Sequence, residues 1–301
     1  MIQWMPDMAE YRNPYKRQEV FRCLHADHRR FAHAVSPWHV LKERACYPEG
    51  CLSTRFRCAR LQKGGRCHRR FRRAGPRCEP CPYLRDEKVM YRPQVILSQD
   101  GWRDFQRELE RFRFWLRGLE GRTISFYGRV GAVKPCLEHI YESRHSRILF
   151  NGWIATFPDG WFGTDRLLDR FYLYLPKGRQ RRLLLAPGDE VEGAALLDFP
   201  EGRLILHHPV GLQVARKGGG AAPVESGILP GLRFGRPFPV QEERCFACPR
   251  GVLARVVNPA GLTGLPRREL FCLEGYPSPR ECALADSSKI ALERCRLDGP
   301  A

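Results

Sequence analysis

The sequence predicts an α+β, mostly β fold in which a five-stranded barrel stands between a helical, arginine- and cysteine-rich N-terminal region and a C-terminal cysteine hairpin. Three observations lead there. Of the 13 cysteines, six fall in an N-terminal island and five in a C-terminal one, with Cys23 and Cys136 apart and none between 137 and 244. The apolar period shifts from near 3.6 to near 2 at Thr123. A Gly/Pro-rich passage then separates the strands from the second island. The expected parts are 1–122, 123–214, a linker over 215–243, and 244–301.

With 43% apolar and 11% aromatic residues, the chain of 301 residues can bury a core. No stretch approaches the roughly 18 apolar residues of a membrane span, so no membrane partner is expected. Met1–Asp7 lacks a basic segment followed by an apolar run. The expected address is therefore cytoplasmic, where a reducing medium turns an odd cysteine count towards metal ligation, not disulfides.

The N-terminal part opens with a stretch, 15–45, that reads as helical, with Val20, Phe21, Leu24, Phe31, Val35 and Val40 among polar positions. The first island follows: Cys46, Cys51, Cys58, Cys67, Cys78 and Cys81, the last two forming a CxxC pair. Gly, Arg and Cys dominate it, so ligation must replace an apolar core if it is ordered. Six thiols supply one four-ligand zinc site with two to spare, or a 4Fe-4S cluster, which also takes four cysteines. Zinc is favoured because no closely repeated CxxCxxC run is present. His68 and the Cys23, His25, His28 group are further donors, although a lone histidine among arginines is more simply an exposed residue.

The same island concentrates charge. Residues 1–122 carry 27 Lys+Arg against 14 Asp+Glu, and residues 123–301 carry 24 against 19. From Glu49 to Glu79 no acidic residue intervenes, while Arg55, Arg57, Arg60, Lys63, Arg66, Arg69, Arg70, Arg72, Arg73 and Arg77 accumulate. The bland reading is a solvated face. The sharper one is a phosphate-binding surface, because nine arginines to one lysine favours forked contacts over mere solubility.

Trp102, Phe105, Leu109, Phe112, Leu116 and Leu119 recur at steps of 3 and 4, predicting an amphipathic helix capped by Ser98, with its aromatic stripe in a core. Beyond it, 123–133, 148–157, 170–175, 190–197 and 203–214 read as five strands, the first broken by Gly128 and Gly131. Phe171, Leu173 and Leu175 share one face of the third, and Tyr172 and Tyr174 the other. Five strands with this glycine pattern resemble an OB-fold barrel, which would bind single strands by stacking bases on aromatics beside a basic groove. Tyr127, Trp153, Trp161, Tyr172 and Tyr174 are the stacking candidates, with Arg129, Arg144, Arg147, Arg170 and Lys177 nearby. Trp153 and Trp161 have the alternative of simply capping the barrel.

The second island contains Cys245-x-x-Cys248, a hairpin from Gly251–Val257 to Arg268–Phe271, then Cys272 and Cys282. A CxxC turn supplies two zinc ligands, and the far side of a hairpin supplies two more. Nine residues separate Cys272 from Cys282, unlike a regular ribbon, and Cys295 competes for the fourth place. Gly128-Arg129-Val130, Gly188-Asp189-Glu190-Val191, Cys245-x-x-Cys248 and Phe271-Cys272 resemble the pattern of a group of bacterial cysteine-rich proteins with an OB-like middle and a zinc-ribbon-like end. That resemblance implies an architecture and carries no activity.

No Gly-x-Ser-x-Gly, His-Glu-x-x-His or Walker loop occurs, and Asp159, Asp165 and Asp169 read as exposed loop residues. The expectation is a non-catalytic binder of RNA or single-stranded DNA with structural zinc. Its rivals are an iron–sulfur redox protein or enzyme built on the N-terminal thiols, and an assembly protein docking an acidic protein or a ribonucleoprotein.

Overall fold

Alternating apolar side chains make β-strands the dominant regular structure, seen in a computed structural model that describes residues 8–25, 28, 32–142, 146–228, 232–233, 236–238, 244–245, 248–257 and 268–282. In chain order the strands and helices are β1 (Glu10–Tyr11), β2 (Phe21–Arg22), β3 (Ala34–Val35), β4 (Cys51–Cys58), α1 (Ala59–Gln62), β5 (Leu84–Tyr91), β6 (Gln94–Val95) and α2 (Gln99–Leu119). There follow β7 (Thr123–Arg129), β8 (Ala132–Tyr141), β9 (Ser146–Phe157), β10 (Gly160–Phe162), β11 (Asp165–Leu167), β12 (Phe171–Leu175) and α3 (Lys177–Leu183). The last are β13 (Glu190–Asp198), β14 (Ile205–Arg216), β15 (Gly251–Val257) and β16 (Arg268–Cys272). The chain divides into two units, Asn13–Gly118 and Met1–Arg12 with Leu119–Ala301.

The larger unit holds one mixed sheet of 11 strands in the order β1-β11-β10-β7-β13-β14-β12-β9-β8-β15-β16. This overturns the barrel: among the described residues no sheet closes. An OB-like barrel needs its first strands to meet its last, but the free edge of β7 is taken by β10 and that of β8 by β15. The C-terminal hairpin therefore extends the sheet, with Arg255, Val256 and Val257 parallel to Glu138, His139 and Ile140. The strand alternation itself is present. In β12, Phe171, Leu173 and Leu175 are fully buried while Tyr172 and Tyr174 stay half-exposed. Phe171 stacks on Phe157 with centroids 4.6 Å apart and meets Phe162 edge-on at 4.9 Å. The turn before β13 is tied by Asp189, which accepts from the N–H groups of Ala186 (3.0 Å) and Gly218 (2.8 Å) and pairs with Lys217 at 3.1 Å.

In the smaller unit, α2 starts where Ser98 Oγ accepts the Gly101 N–H at 3.2 Å. Phe105, Leu109, Phe112, Trp115 and Leu116 are its buried stripe. Phe105 lies edge-on to Phe21 at 6.5 Å, and Phe112 to Tyr15 at 6.3 Å. The helix expected over 15–45 is not formed. Asn13 and Pro14 open a single short turn, and Phe21 is drawn into a three-stranded sheet in which β2 pairs with β3 and β6. Phe21 and Val35 pair with each other across β2 and β3, a tertiary use that overrides the weak local helical pattern, while Phe31 lies outside the described residues. The remaining element is the β4–β5 hairpin, eight antiparallel pairs from Cys51↔Tyr91 to Cys58↔Leu84. Among the described residues no helix is long and apolar enough to cross a membrane.

Candidate functional site

The β4–β5 hairpin carries cysteines at both ends, and this divides the first island in two. Seven residue steps at about 3.3 Å per residue put roughly 23 Å between Cys51 and Cys58. At the far end, Cys58 closes β4, and the connection to β5 brings Cys67, Cys78 and Cys81 back to it. These four thiols line a single cavity of about 10 Å³ together with Leu61, His68, Arg69, Phe71, Arg73, Ala74 and Leu84. Local hydrogen bonds fold the connection there: Arg70 N–H donates to the Cys67 carbonyl (3.0 Å), Cys81 N–H to Cys78 (2.8 Å) and Leu84 N–H to Cys81 (3.0 Å). A volume of this size admits about one water-sized sphere. Four cysteines are a donor set that either a tetrahedral zinc ion or a four-iron cluster takes.

At the near end stand Cys46 and Cys51, joined by Cys23, which sequence spacing leaves apart. Burial, with Cys51 and Cys23 adding to it, pushes the Cys46 thiol up to about 11. Between Cys46 and Cys51, Gly50 runs close to β5: at φ 102° it sets the Tyr91 carbonyl 2.8 Å from where a Cβ would stand. Histidines adjoin this end. The His25 ring meets Tyr91 at 4.9 Å, His28 Nε2 lies 3.1 Å from His39 Nε2, and His39 Nδ1 lies 2.5 Å from Glu43 Oε2.

In the larger unit, Cys248 Sγ accepts the Arg250 N–H at 3.4 Å, and the Cys248 carbonyl accepts from Gly251 at 3.1 Å. Residue 251 must be glycine, since a Cβ would fall 1.7 Å from the Cys245 carbonyl oxygen. Hairpin pairing sets Cys272 opposite Gly251. Burial raises the Cys272 thiol, with Cys282 and Cys248 adding to it, and the N–H groups of Glu274 and Tyr276 oppose that. Cys245 packs against the Phe238, Leu270 and Cys272 cluster. Lys134 of β8 locks the turn, donating to the carbonyls of Cys248 (2.9 Å) and Gly251 (2.8 Å), and burial lowers its pKa. Nothing in the sequence singled it out, because a lone lysine in a strand carries no motif. Cys295 lies outside the described residues.

No disulfide joins the described cysteines. Among the described residues no three His, Cys, Asp or Glu side chains close around one point at ligating distance.

All ten cationic side chains of the arginine run are solvent-exposed: Arg55, Arg57, Arg60, Lys63, Arg66, Arg69, Arg70, Arg72, Arg73 and Arg77. Of these, among the described residues, only Arg57 has a carboxylate partner, Glu87 at 2.9 Å. Arg55 lies over the Tyr91 ring at 5.6 Å, Arg60 over Tyr83 at 5.8 Å, and Arg69 donates to the Arg77 carbonyl at 3.2 Å. From Cys58 to Cys81 eight Lys+Arg face one carboxylate, Glu79. Four thiolates on one divalent ion would carry two negative charges, so they offset only part of this excess.

Of the stacking candidates, Tyr172 and Tyr174 share a half-exposed face of β12, and Trp161 pairs with Tyr127 across β10 and β7. Trp153 is core, 1% exposed, with its ring 5.2 Å from Phe150. Tyr174 donates its hydroxyl to the Asn151 carbonyl at 2.6 Å, and Tyr172 stands beside it opposite Thr156. Arg129 and Arg170 are exposed, Arg129 at the end of β7 opposite Glu190. Comparison with protein-family models, with curated proteins and with solved structures gives no match to this chain.

Proposed function

We propose that the protein binds nucleic acid without catalysis, through the arginine-bearing connection of the β4–β5 hairpin, and that thiolate-held zinc keeps that connection in shape. One observation carries the reading: four cysteines line a single ion-sized cavity inside the segment whose eight Lys and Arg side chains all point to solvent. A segment with so few buried apolar side chains cannot fold on hydrophobic burial alone, and metal ligation supplies what is missing. Once held, its guanidinium groups form a cluster with almost no internal counter-charge, which a polyphosphate satisfies. Zinc is preferred to a four-iron cluster because the segment lacks a closely repeated CxxCxxC run. The knuckle at Cys245, Cys248, Cys272 and Cys282 would hold a second structural ion, the CxxC turn and the far side of the hairpin each supplying two thiols.

The test is fluorescence anisotropy of labelled single-stranded RNA, single-stranded DNA and duplex DNA against the full chain at low salt, followed by photocrosslinking and mass mapping. The expected result is binding that vanishes as salt rises, with crosslinks between Cys58 and Leu84. Absence of binding to all three polymers would overturn the proposal, and competition by an acidic polypeptide but not by RNA would transfer it to a protein partner.

A further inference from the structure

The turn that closes the arginine-bearing connection holds two of its thiols in a relation that metal ligation does not require. In Cys78-Glu79-Pro80-Cys81 the Cys81 N–H donates to the Cys78 carbonyl at 2.8 Å. Pro76–Cys78 is a single 3₁₀ turn, and Glu79 continues it with φ −47° and ψ −44°. A four-residue turn of this kind keeps its end Cα atoms within about 7 Å. A disulfide spans roughly 4.4–6.8 Å between Cα atoms. Both side chains line the same cavity, so they stand on one side of the turn. The backbone is already folded for a bond between the two sulfurs. Burial separates their roles: Cys78 is 9% exposed, whereas Cys81 is half-exposed. Arg69 and Arg73 line the cavity with them, and from Cys58 to Cys81 eight Lys+Arg face one carboxylate. A part-exposed thiol in electropositive surroundings, with a second thiol beside it, is the setting of a cysteine that reacts with peroxide and is then resolved.

We infer that Cys78 and Cys81 are a peroxide-sensitive pair that regulates the arginine-bearing connection. The Cys81 thiolate attacks one oxygen of hydrogen peroxide and the O–O bond breaks. Hydroxide leaves, takes up the proton that the thiol gave up and becomes water, and Cys81 is left as a sulfenic acid. The Cys78 thiolate then attacks the Cys81 sulfur. The S–S bond forms, the S–O bond breaks, and hydroxide leaves with the proton from Cys78 as a second water. Two thiols are oxidised and one peroxide is reduced. The inference rests on reading the four thiols as metal ligands and the arginines as the binding surface, because the disulfide withdraws two of the four donors. The ion is released, the connection loses its shape, and a polyanion must order it again on binding. A dithiol reductant returns both sulfurs to thiols and reverses the change.

The experiment treats the full chain with hydrogen peroxide, maps its disulfides by mass spectrometry, and measures the anisotropy of labelled single-stranded RNA and DNA at low salt. The expected result is a disulfide between Cys78 and Cys81 and an affinity lower by roughly thirtyfold or more, the cost of ordering the connection on binding. The loss should track the fraction of chains that hold this disulfide, and dithiothreitol should restore the affinity. A treated chain in which Cys78 and Cys81 remain thiols overturns the inference, as does the disulfide with affinity unchanged. Absence of binding by the reduced chain defeats the nucleic-acid reading alone. Tryptic cleavage at the exposed arginines between Cys58 and Leu84 then takes the place of affinity. Faster cleavage of the oxidised chain supports the switch, and an equal rate overturns it.

Discussion

Replacing Arg69, Arg70, Arg72 and Arg73 together by glutamine removes four of the cations on the cysteine-bearing connection while leaving every thiol in place. All four are exposed and none has a carboxylate partner among the described residues, so the change touches phosphate contacts far more than stability. The magnitude follows from a count. Of the ten cations in the run, Arg57 is paired with Glu87 and Arg55 is held on Tyr91, which leaves eight for a polyanion. Each contact contributes about −0.7 to the slope of log K against log salt for a single strand, so the parent is limited to a slope of about −5.6. The quadruple variant should reach about −2.8. Between about 50 and 200 mM salt that is a loss of roughly 2,500-fold for the parent against roughly 50-fold for the variant. Anisotropy titrations of a labelled oligonucleotide at four salt concentrations read both slopes. A variant with the parental slope would refute the reasoning, since the four arginines would then touch no phosphate.

Three further outcomes test the scaffold. Phe171→Ala should cost about 3–5 kcal/mol in urea unfolding, because a fully buried ring stacked on Phe157 at 4.6 Å is removed from the sheet's core; a loss under about 1 kcal/mol contradicts the packing described. Asp189→Asn should cost about 2 kcal/mol at neutral pH. Burial alone would raise the Asp189 carboxyl, but the N–H groups of Gly218 and Ala186 and the Lys217 ammonium outweigh it and lower the pKa. Its contribution is therefore present above the usual carboxylate range and lost as the pH falls through the depressed folded value, so parent and variant should converge in strong acid. Lys134→Met strips the donor from the carbonyls of Cys248 and Gly251. Stopped-flow transfer of zinc to a chelating dye should show faster release from the C-terminal group, and an unchanged rate would mean the lysine does not lock that turn.

How far the fold could be read from the chain depended on the range of the interaction involved. The 3-and-4 spacing from Trp102 to Leu119 marks α2 because one helix surface writes its own period, and Ser98 supplies the cap. The alternation in Phe171–Leu175 marks β12 for the same local reason. Strands β10 and β11, three residues each, are too short to show any period. Closure was misread because alternation says which face is buried and nothing about which edges pair; that β15 would cover β8 is a tertiary fact. The stretch 15–45 failed similarly, Phe21 being used by pairing with β6 and Phe21 and Tyr15 by packing on α2. Among the site residues, the CxxC pairs and the arginine run were visible as motifs. The partition of the N-terminal thiols was not, because the hairpin separates Cys51 from Cys58 although only seven positions divide them. Trp153 looked available only while the sheet was taken for a barrel with an outward aromatic face.

The most direct measurement is amide hydrogen exchange across residues 58–84 of the intact chain, taken with and without a zinc chelator. If thiolate-held metal shapes the arginine-bearing connection, its amides are protected in the native protein and lose that protection on chelation, while α2 stays protected. Exchange over 58–84 that is the same in both conditions would contradict the account, because the segment would then hold, or fail to hold, its form without any ion.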